Sequence, residues 1–218
     1  TTCGTGCFVS RQVAAHFGTV IELRLSQVAA LVDSVPPGRY AGGTPMRIGL
    51  TYNARSMGFE YLALYTEDGG FHMLYGSQVQ ADVPEAFQSS VERGRYNVSS
   101  GTDETGAPVV LIGVAAAYPM GDGTASMALV AGLPVSYLSD TLEGSLDDGM
   151  VGYSIIRDDG SYVLQSSAIE EDNYFERVAA RYEAFNGKEP LQFAEELRTA
   201  LEQGRDYTSE IVISGQRW

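Results

Sequence analysis

The sequence predicts an α+β protein in which a long N-terminal helix precedes two similar modules, each built on an antiparallel sheet. Three observations support this prediction. Residues 8–35 repeat apolar side chains at helical spacing. Residues 59–75 and residues 151–164 each consist of two apolar, aromatic or β-branched runs joined by an Asp-Gly pair. Because Asp and Gly tolerate the positive φ that a tight strand reversal requires, this pattern strongly indicates a hairpin.

The helix over residues 8–35 dominates the first predicted segment, residues 1–38. Its apolar positions form one heptad row and a flanking set: Ala14, Ile21, Val28 and Val35, with Phe17, Leu25, Leu31 and Val32 beside them. Polar side chains, Arg24 among them, take the other positions. The run Pro36-Pro37-Gly38 ends the helix. At 1.5 Å per residue such a helix is roughly 42 Å long, which is longer than a single small module.

The first module is predicted over residues 39–145. Its beginning is Gly-rich and expected to be irregular, apart from residues 46–52. After the hairpin, Asp82 is the expected N-cap of a short helix that Gly94 ends. Three strands and a closing helix follow, at residues 95–99, 108–118, 125–133 and 134–142. The order of two strands, a helix and three strands is that of a PAS-like module, a single antiparallel sheet with a pocket on one face.

The second module is predicted over residues 146–218. After its hairpin, helices are expected at residues 172–185 and 190–204, and a strand at residues 207–214. If this module copies the first, its last strands are missing. We therefore expect the second PAS-like module to be incomplete.

Composition and charge exclude several partners. The formal charge is −14 and the pI is near 4.4, so the field of the protein repels nucleic acid and anionic lipid.

No apolar run approaches the roughly 20 residues of a membrane-spanning helix, and no signal peptide is visible. Because the chain begins without Met, we expect a fragment that meets a membrane only through flanking helices outside this sequence.

No cofactor, metal site or catalytic site is predicted. Cys3 and Cys7 lack the second pair of ligands that a zinc site needs. His16 and His72 lack the neighbours of a general base, and no nucleotide-binding or nucleophile motif appears. An enzyme is therefore the weakest functional hypothesis for this segment.

Several stretches resemble the double Cache sensor domains of bacterial receptors. They are Gly58-Phe59-Glu60-Tyr61 with Asp68-Gly69, residues 125–133 leading into Pro134-Val135-Ser136-Tyr137-Leu138, and Gly152-Tyr153-Ser154-Ile155-Ile156 with Asp159-Gly160-Ser161. The resemblance implies an extracytoplasmic ligand-sensing domain of a transmembrane receptor, of the histidine kinase, diguanylate cyclase or chemoreceptor type. Members that bind amino acids carry an Arg and a Trp with Tyr residues near the first strands, and an Asp at the end of the last strand of the first module. Here the only Trp is Trp218, and Leu133 and Pro134 follow Gly132, which weighs against an amino acid ligand.

A pocket on the sheet of the first module would be lined by alternating residues of the hairpin. The two-residue period places Phe59, Tyr61, Ala63 and Tyr65 on one face, and Phe71, Met73 and Tyr75 together on the returning strand. Tyr rings can stack on a small ligand and bond its polar atoms, although core packing explains the same pattern. The candidate ligand-binding residues are Arg55, Tyr61, Tyr65, Met73, Tyr75 and Tyr118.

Two functional hypotheses therefore remain besides an enzyme. The first is a sensor domain on the extracytoplasmic side of the bacterial cell membrane, with a small molecule bound in the first module. The second is a structural module that binds no ligand and forms a homodimer through the helix over residues 8–35.

Overall fold

The computed structural model describes residues 5–39, 43–94, 96–120, 122–138, 154–156, 160, 162–165, 173–183, 190–203, 205, 212–213 and 216–217. The chain divides into two compact units. One comprises Val13–Leu142, and the other comprises Thr1–Gln12 with Glu143–Trp218. No helix in the described part of the chain is both long enough and apolar enough to cross a membrane.

The long N-terminal helix is confirmed as α1, Thr5–Ser34. A short 3₁₀ helix, Pro37–Arg39, follows the predicted stop. Val28, Leu31 and Val35 are buried as the apolar rows predict. Arg24, which was expected among the outward-facing polar residues, is buried with them and is only 7% exposed.

A second helix, α2, spans Thr44–Ser56, where the sequence predicted mainly irregular structure. Its N-cap is Gly43, and Pro45 occupies the first turn, where the missing N–H of Pro costs no hydrogen bond. Met46, Leu50 and Ala54 are buried. Their four-residue spacing gives α2 one apolar face and leaves the other face to solvent.

The first unit contains one six-stranded antiparallel sheet, in the order β2-β1-β6-β5-β4-β3. The strands are β1 Tyr61–Tyr65, β2 Phe71–Tyr75, β3 Val79–Ala81, β4 Tyr96–Asp103, β5 Pro108–Ala115 and β6 Ala128–Pro134. Helix α3, Pro84–Arg93, joins β3 to β4. Its N-cap is Val83, so the assignment of Asp82 as N-cap is wrong. Residues 135–138 begin the predicted closing helix, and residues 139–142 lie outside the described part.

The sheet of the first unit is covered on one face by α3. There Phe87 and Val91 of α3 share an apolar cluster with Tyr65, Leu111 and Val130. The alternate residues of the central strands, including Leu62, Ile112 and Leu129, are also buried and point to the opposite face, because strand side chains alternate. Helix α2 lies against β2. The Val35 carbonyl just after α1 accepts a hydrogen bond from Tyr118. Helices and sheet therefore enclose two apolar layers.

The second unit repeats the hairpin. Strands β7, Ser154–Ile156, and β8, Tyr162–Gln165, pair antiparallel, and Gly160 after the turn has a φ of 85°. Asp158 and Asp159, where the sequence predicts the turn, lie outside the described part.

Helices α4, Tyr174–Arg181, and α5, Pro190–Glu202, pack together through Val178 and Phe193. A three-stranded sheet is formed by β9 Tyr182–Glu183, β10 Val212–Ile213 and β11 Gln216–Arg217. The predicted helix over residues 172–185 is thus too long, since the chain enters β9 directly after α4. Much of the strand predicted over residues 207–214 lies outside the described part. The α+β class with two sheet-bearing modules is confirmed.

Candidate functional site

An open groove lies between the solvent-facing side of α2 and strand β2. Its volume is about 440 Å³. It is lined by six residues of α2 and one residue of β2: Thr44, Arg47, Ile48, Thr51, Tyr52, Arg55 and Leu74. The α2 residues are three or four positions apart, so they share one face of the helix. The opposite face of α2, with Met46, Leu50 and Ala54, is buried.

The groove combines exposed apolar surface with two cations. Ile48 is 62% exposed and Tyr52 is 73% exposed, although both are large and apolar enough to favour burial. Arg47 Nη2 donates to the Met73 carbonyl at 3.3 Å. The guanidinium carbon of Arg55 lies 4.8 Å from the centre of the Tyr75 ring. Each guanidinium is therefore positioned by β2.

Two of the predicted site residues lie at the groove. Arg55 lines it, and the Tyr75 ring packs against the Arg55 guanidinium. The Tyr75 hydroxyl donates to the Phe59 carbonyl at 2.6 Å. Burial raises the pKa of Tyr75 to about 12, with the Arg55 charge acting against burial and Glu60 acting with it. Tyr75 is consequently a neutral hydrogen-bond donor at any physiological pH.

A β-bulge changes the direction of Tyr75. Leu62 is opposite Tyr75, whereas the next residue, Ala63, is opposite Met73, so Leu74 is an extra residue in β2. Residues directly opposite each other share a face of the sheet. The prediction that Tyr75 shares a face with Phe71 and Met73 is therefore wrong. The Tyr75 side chain lies on the same face of the sheet as Leu62, which is the face toward α2. The bulged residue Leu74 lines the groove.

Tyr65 and Met73 lie on the face of the sheet that α3 covers. The Tyr65 ring is 5.0 Å from Phe71 and 4.9 Å from Phe87, centre to centre, and Met73 packs against the same cluster. The pKa of Tyr65 is raised, chiefly by burial. These side chains fill the space under α3 with protein atoms.

Tyr61 belongs to the same cluster. Its hydroxyl donates to Oδ2 of Asp103 at 3.0 Å. Burial, followed by the hydrogen bond and the charge of Asp103, raises the pKa of Tyr61. This bond joins β1 to the end of β4.

Tyr118 is completely buried. Its hydroxyl donates to the Val35 carbonyl at 2.6 Å, and its backbone N–H donates to Ser126 Oγ at 2.9 Å. Burial, and to a lesser extent the charge of Asp33, raises its pKa far above the usual range. Tyr118 thus fastens the segment after β5 to the end of α1. The structure does not bring it to the groove.

Sequence reasoning missed Arg24 as a central residue. Its Nη1 donates to the Met57 carbonyl at 2.6 Å and to Gln27 Oε1 at 3.0 Å, and its Nη2 donates to the Tyr137 hydroxyl. Its guanidinium carbon lies 5.5 Å from the Phe59 ring centre and 4.7 Å from that of Tyr137. Arg24 therefore joins α1, the end of α2 and residues 135–138. Its position on the same face as Val28 and Leu31 was the available signal.

Metal binding finds no support in the described residues, where no group of three or more His, Cys, Asp or Glu side chains could hold an ion.

No protein-family model matches the chain, and no curated protein matches it in sequence. Solved structures match it well. The ligand-binding domain of the amino acid chemoreceptor PctB from Pseudomonas aeruginosa has been solved in complex with L-Gln and with L-Arg. The L-Gln complex superposes with a TM-score of 0.62 at 14% identity, over 96% of this chain and 78% of that domain. The L-Arg complex gives 0.62 at 14%, over 95% and 81%.

The ligand-binding domain of the chemoreceptor PctC from the same organism, in complex with GABA, gives a TM-score of 0.53 at 16% identity. The match covers 72% of this chain and 73% of that domain. These chemoreceptor domains are double Cache sensor domains. The chain has the double Cache fold. Within this double Cache fold, the groove beside α2 belongs to the unit Val13–Leu142.

Proposed function

We propose that this chain is the extracytoplasmic ligand-sensing domain of a bacterial transmembrane receptor, and that it binds a small molecule in the groove between α2 and β2. The observation that carries the proposal is the match of 96% of the chain to a chemoreceptor ligand-binding domain. The segment itself is not an enzyme. The output, of the histidine kinase, diguanylate cyclase or chemoreceptor type, belongs to the rest of the receptor.

The composition of the groove supports its role as the ligand site. Its volume of about 440 Å³ falls within the roughly 300–1,000 Å³ typical of small-molecule sites. Such sites combine apolar lining with a few polar groups that fix orientation. Here Ile48, Tyr52 and Leu74 supply the apolar lining, while Arg47, Arg55 and two Thr hydroxyls supply the polar groups.

A thermal-shift screen of small metabolites tests this proposal. A ligand present at a hundredfold excess over its Kd stabilises the native state by about 2.7 kcal/mol, which corresponds to a Tm rise of roughly 5–10 °C. We expect at least one metabolite to raise the Tm, and the variants Ile48→Ala and Tyr52→Ala to reduce that rise.

Leu23→Ala is the matched control, because Leu23 is also a large exposed apolar residue, 57% exposed, but lies on α1. It should leave the rise intact. If no metabolite stabilises the chain, or if the groove variants respond as the control does, the proposal is wrong.

The second candidate function is a homodimerising structural module. The exposure of Leu23 on α1 favours it, because a large apolar residue at the surface of a long helix suits a helix–helix contact. Light scattering of the wild type and of Leu23→Lys measures this directly. A dimer that Leu23→Lys dissociates, together with no response to any metabolite, would replace the sensor by this alternative.

A further inference from the structure

Building on the proposed function, we propose that the groove binds a small carboxylic acid with an apolar body and no amino group. The ligand class thus differs from the amino acids of the chemoreceptor complexes. The inference rests on the charges of the lining residues and on the hydrogen bonds that they still can make.

Among the residues that the structure describes, Arg47 and Arg55 are the only charged residues that line the groove, and no Asp or Glu lines it. This is notable in a chain with a formal charge of −14. A local concentration of positive charge on an acidic protein attracts an anion and repels a cation. Within the described part of the chain, no ion pair joins a carboxylate to either Arg.

The two guanidinium groups retain donors for a ligand. A guanidinium carries five N–H donors in a planar fork that matches a carboxylate. Arg47 donates to one backbone carbonyl, and Arg55 stacks on the Tyr75 ring. Stacking uses the face of the guanidinium and leaves the N–H groups at its edge available. The Tyr75 hydroxyl is itself hydrogen-bonded to the Phe59 carbonyl. The ring on which Arg55 stacks is therefore held in place.

The apolar body of the ligand follows from the residues between the two cations. Arg47 and Arg55 are eight positions apart on α2, or about 12 Å along its axis. Ile48 and Tyr52 lie between them on the same face, opposite Leu74. A carboxylate bound at either Arg therefore extends its carbon chain over these three side chains.

An ammonium group finds no negatively charged partner among the described residues that line this groove. The remaining polar lining is the hydroxyls of Thr44 and Thr51, which are neutral. Glu60 acts electrostatically on Tyr75 but does not line the groove. L-Gln, L-Arg and GABA each carry an ammonium group, which here would lie near two guanidinium charges without a compensating carboxylate.

Calorimetric titration with matched pairs of compounds tests the inference. Each pair differs only by the amino group: butanoate and GABA, glutarate and L-glutamate, 3-phenylpropanoate and L-phenylalanine. We expect at least one acid to bind and its amino counterpart to bind about tenfold more weakly or worse. Arg55→Gln and Arg47→Gln should weaken the acid about tenfold each. Arg93→Gln, on α3, is the control and should bind like the wild type.

The outcomes separate the two proposals. If an amino acid binds as tightly as its acid, and Arg55→Gln abolishes the binding, the ligand class is wrong while the sensor proposal stands. If an acid binds but neither groove variant weakens it, the groove is not the site. If none of the six compounds binds, the inference on ligand class is overturned, and the wider metabolite screen then decides the sensor proposal.

Discussion

Arg24 places a positive charge in the interior of the first unit, and no carboxylate of the described residues is among its hydrogen-bond partners. Its acceptors are a backbone carbonyl, the Gln27 amide and the Tyr137 hydroxyl, and two aromatic rings flank the guanidinium. Arg tolerates such a setting better than Lys, because its charge is delocalised and weakly hydrated, and stacks on aromatic faces. The residue thus acts as a structural connector.

We expect Arg24→Ala to lower the free energy of unfolding by about 2–4 kcal/mol, because it creates a cavity and leaves the partly buried Met57 carbonyl without its donor. Arg93→Ala, at an exposed position of α3, should change it by less than about 0.5 kcal/mol. Urea denaturation measures both. Equal effects of the two substitutions would show that the buried contacts of Arg24 add nothing to stability.

Tyr118→Phe should cost about 1–2 kcal/mol at neutral pH, because the Val35 carbonyl loses its buried donor. The pKa of native Tyr118 is raised above that of the unfolded chain, which is about 10. The stabilisation that Tyr118 contributes to the wild type is therefore fully present below about pH 10. Above about pH 10 it declines, because Tyr118 loses its proton in the unfolded state before it does so in the native state.

The stability difference between wild type and Tyr118→Phe should consequently narrow above about pH 10. Denaturant titrations at pH 8 and above pH 10 measure it. A difference that widens with pH would mean that native Tyr118 ionises more readily than the unfolded residue.

The sequence identified candidate residues, but it did not identify the residues that contact them in the fold. Arg55 was named as a candidate ligand-binding residue and lines the groove, and its part in binding stays a prediction. Tyr118 was also a candidate ligand-binding residue, but its hydroxyl donates to the Val35 carbonyl, 83 positions away in the chain. Such a pairing depends on how α1 packs, which no local pattern encodes.

At the scale of elements, the bulge in β2 decides which side chains reach the groove. Gly76 follows this strand with a φ of 84°, and a Cβ there would lie 2.5 Å from the Glu60 carbonyl oxygen. Gly106 has a similar φ of 82°, yet a Cβ there would meet no atom within 4 Å. Substitutions at Gly76 and Gly106 therefore separate the energetic cost of backbone strain from the cost of steric overlap.

We expect Gly106→Ala to cost about 1 kcal/mol through strain alone, and Gly76→Ala to cost about 3 kcal/mol or more, because β1 must move as well. Thermal unfolding compares them. If Gly76→Ala is no worse than Gly106→Ala, the backbone contact beside the bulge is not as close as described.

A helix or strand can be predicted from the sequence when the residues that determine it lie close together in the chain. Both hairpins were predicted, because an Asp-Gly pair between two strand-like runs acts within a few residues. Helix α2 was missed because Gly43 and Gly58 border it and Gly49 interrupts it. Its signal was the spacing of Met46, Leu50 and Ala54. The bulge could not be predicted, since Met73, Leu74 and Tyr75 are all apolar or aromatic and the sequence does not mark which of them is the extra residue.

At the scale of the whole molecule, the two compact units should unfold separately. Phe87 is buried against the sheet of the first unit, and Phe193 is buried between α4 and α5 of the second. Phe-to-Ala substitutions at such sites cost about 3–5 kcal/mol. In calorimetry we expect Phe87→Ala and Phe193→Ala to lower different transitions, and a groove ligand to raise only the one that Phe87→Ala lowers. A single transition that all three shift would indicate one cooperative unit.

The contacts of Arg24 also affect how fast the protein folds and unfolds. Its partners Met57 and Tyr137 are 33 and 113 positions along the chain, and strands β1 to β6 lie between Arg24 and Tyr137, so the contact with Tyr137 closes only after these strands have assembled. Interactions that form after the rate-limiting barrier act on the reverse rate alone. Stopped-flow measurements should therefore find that Arg24→Ala refolds at the wild-type rate but unfolds faster, which gives this one guanidinium control over the lifetime of the native state.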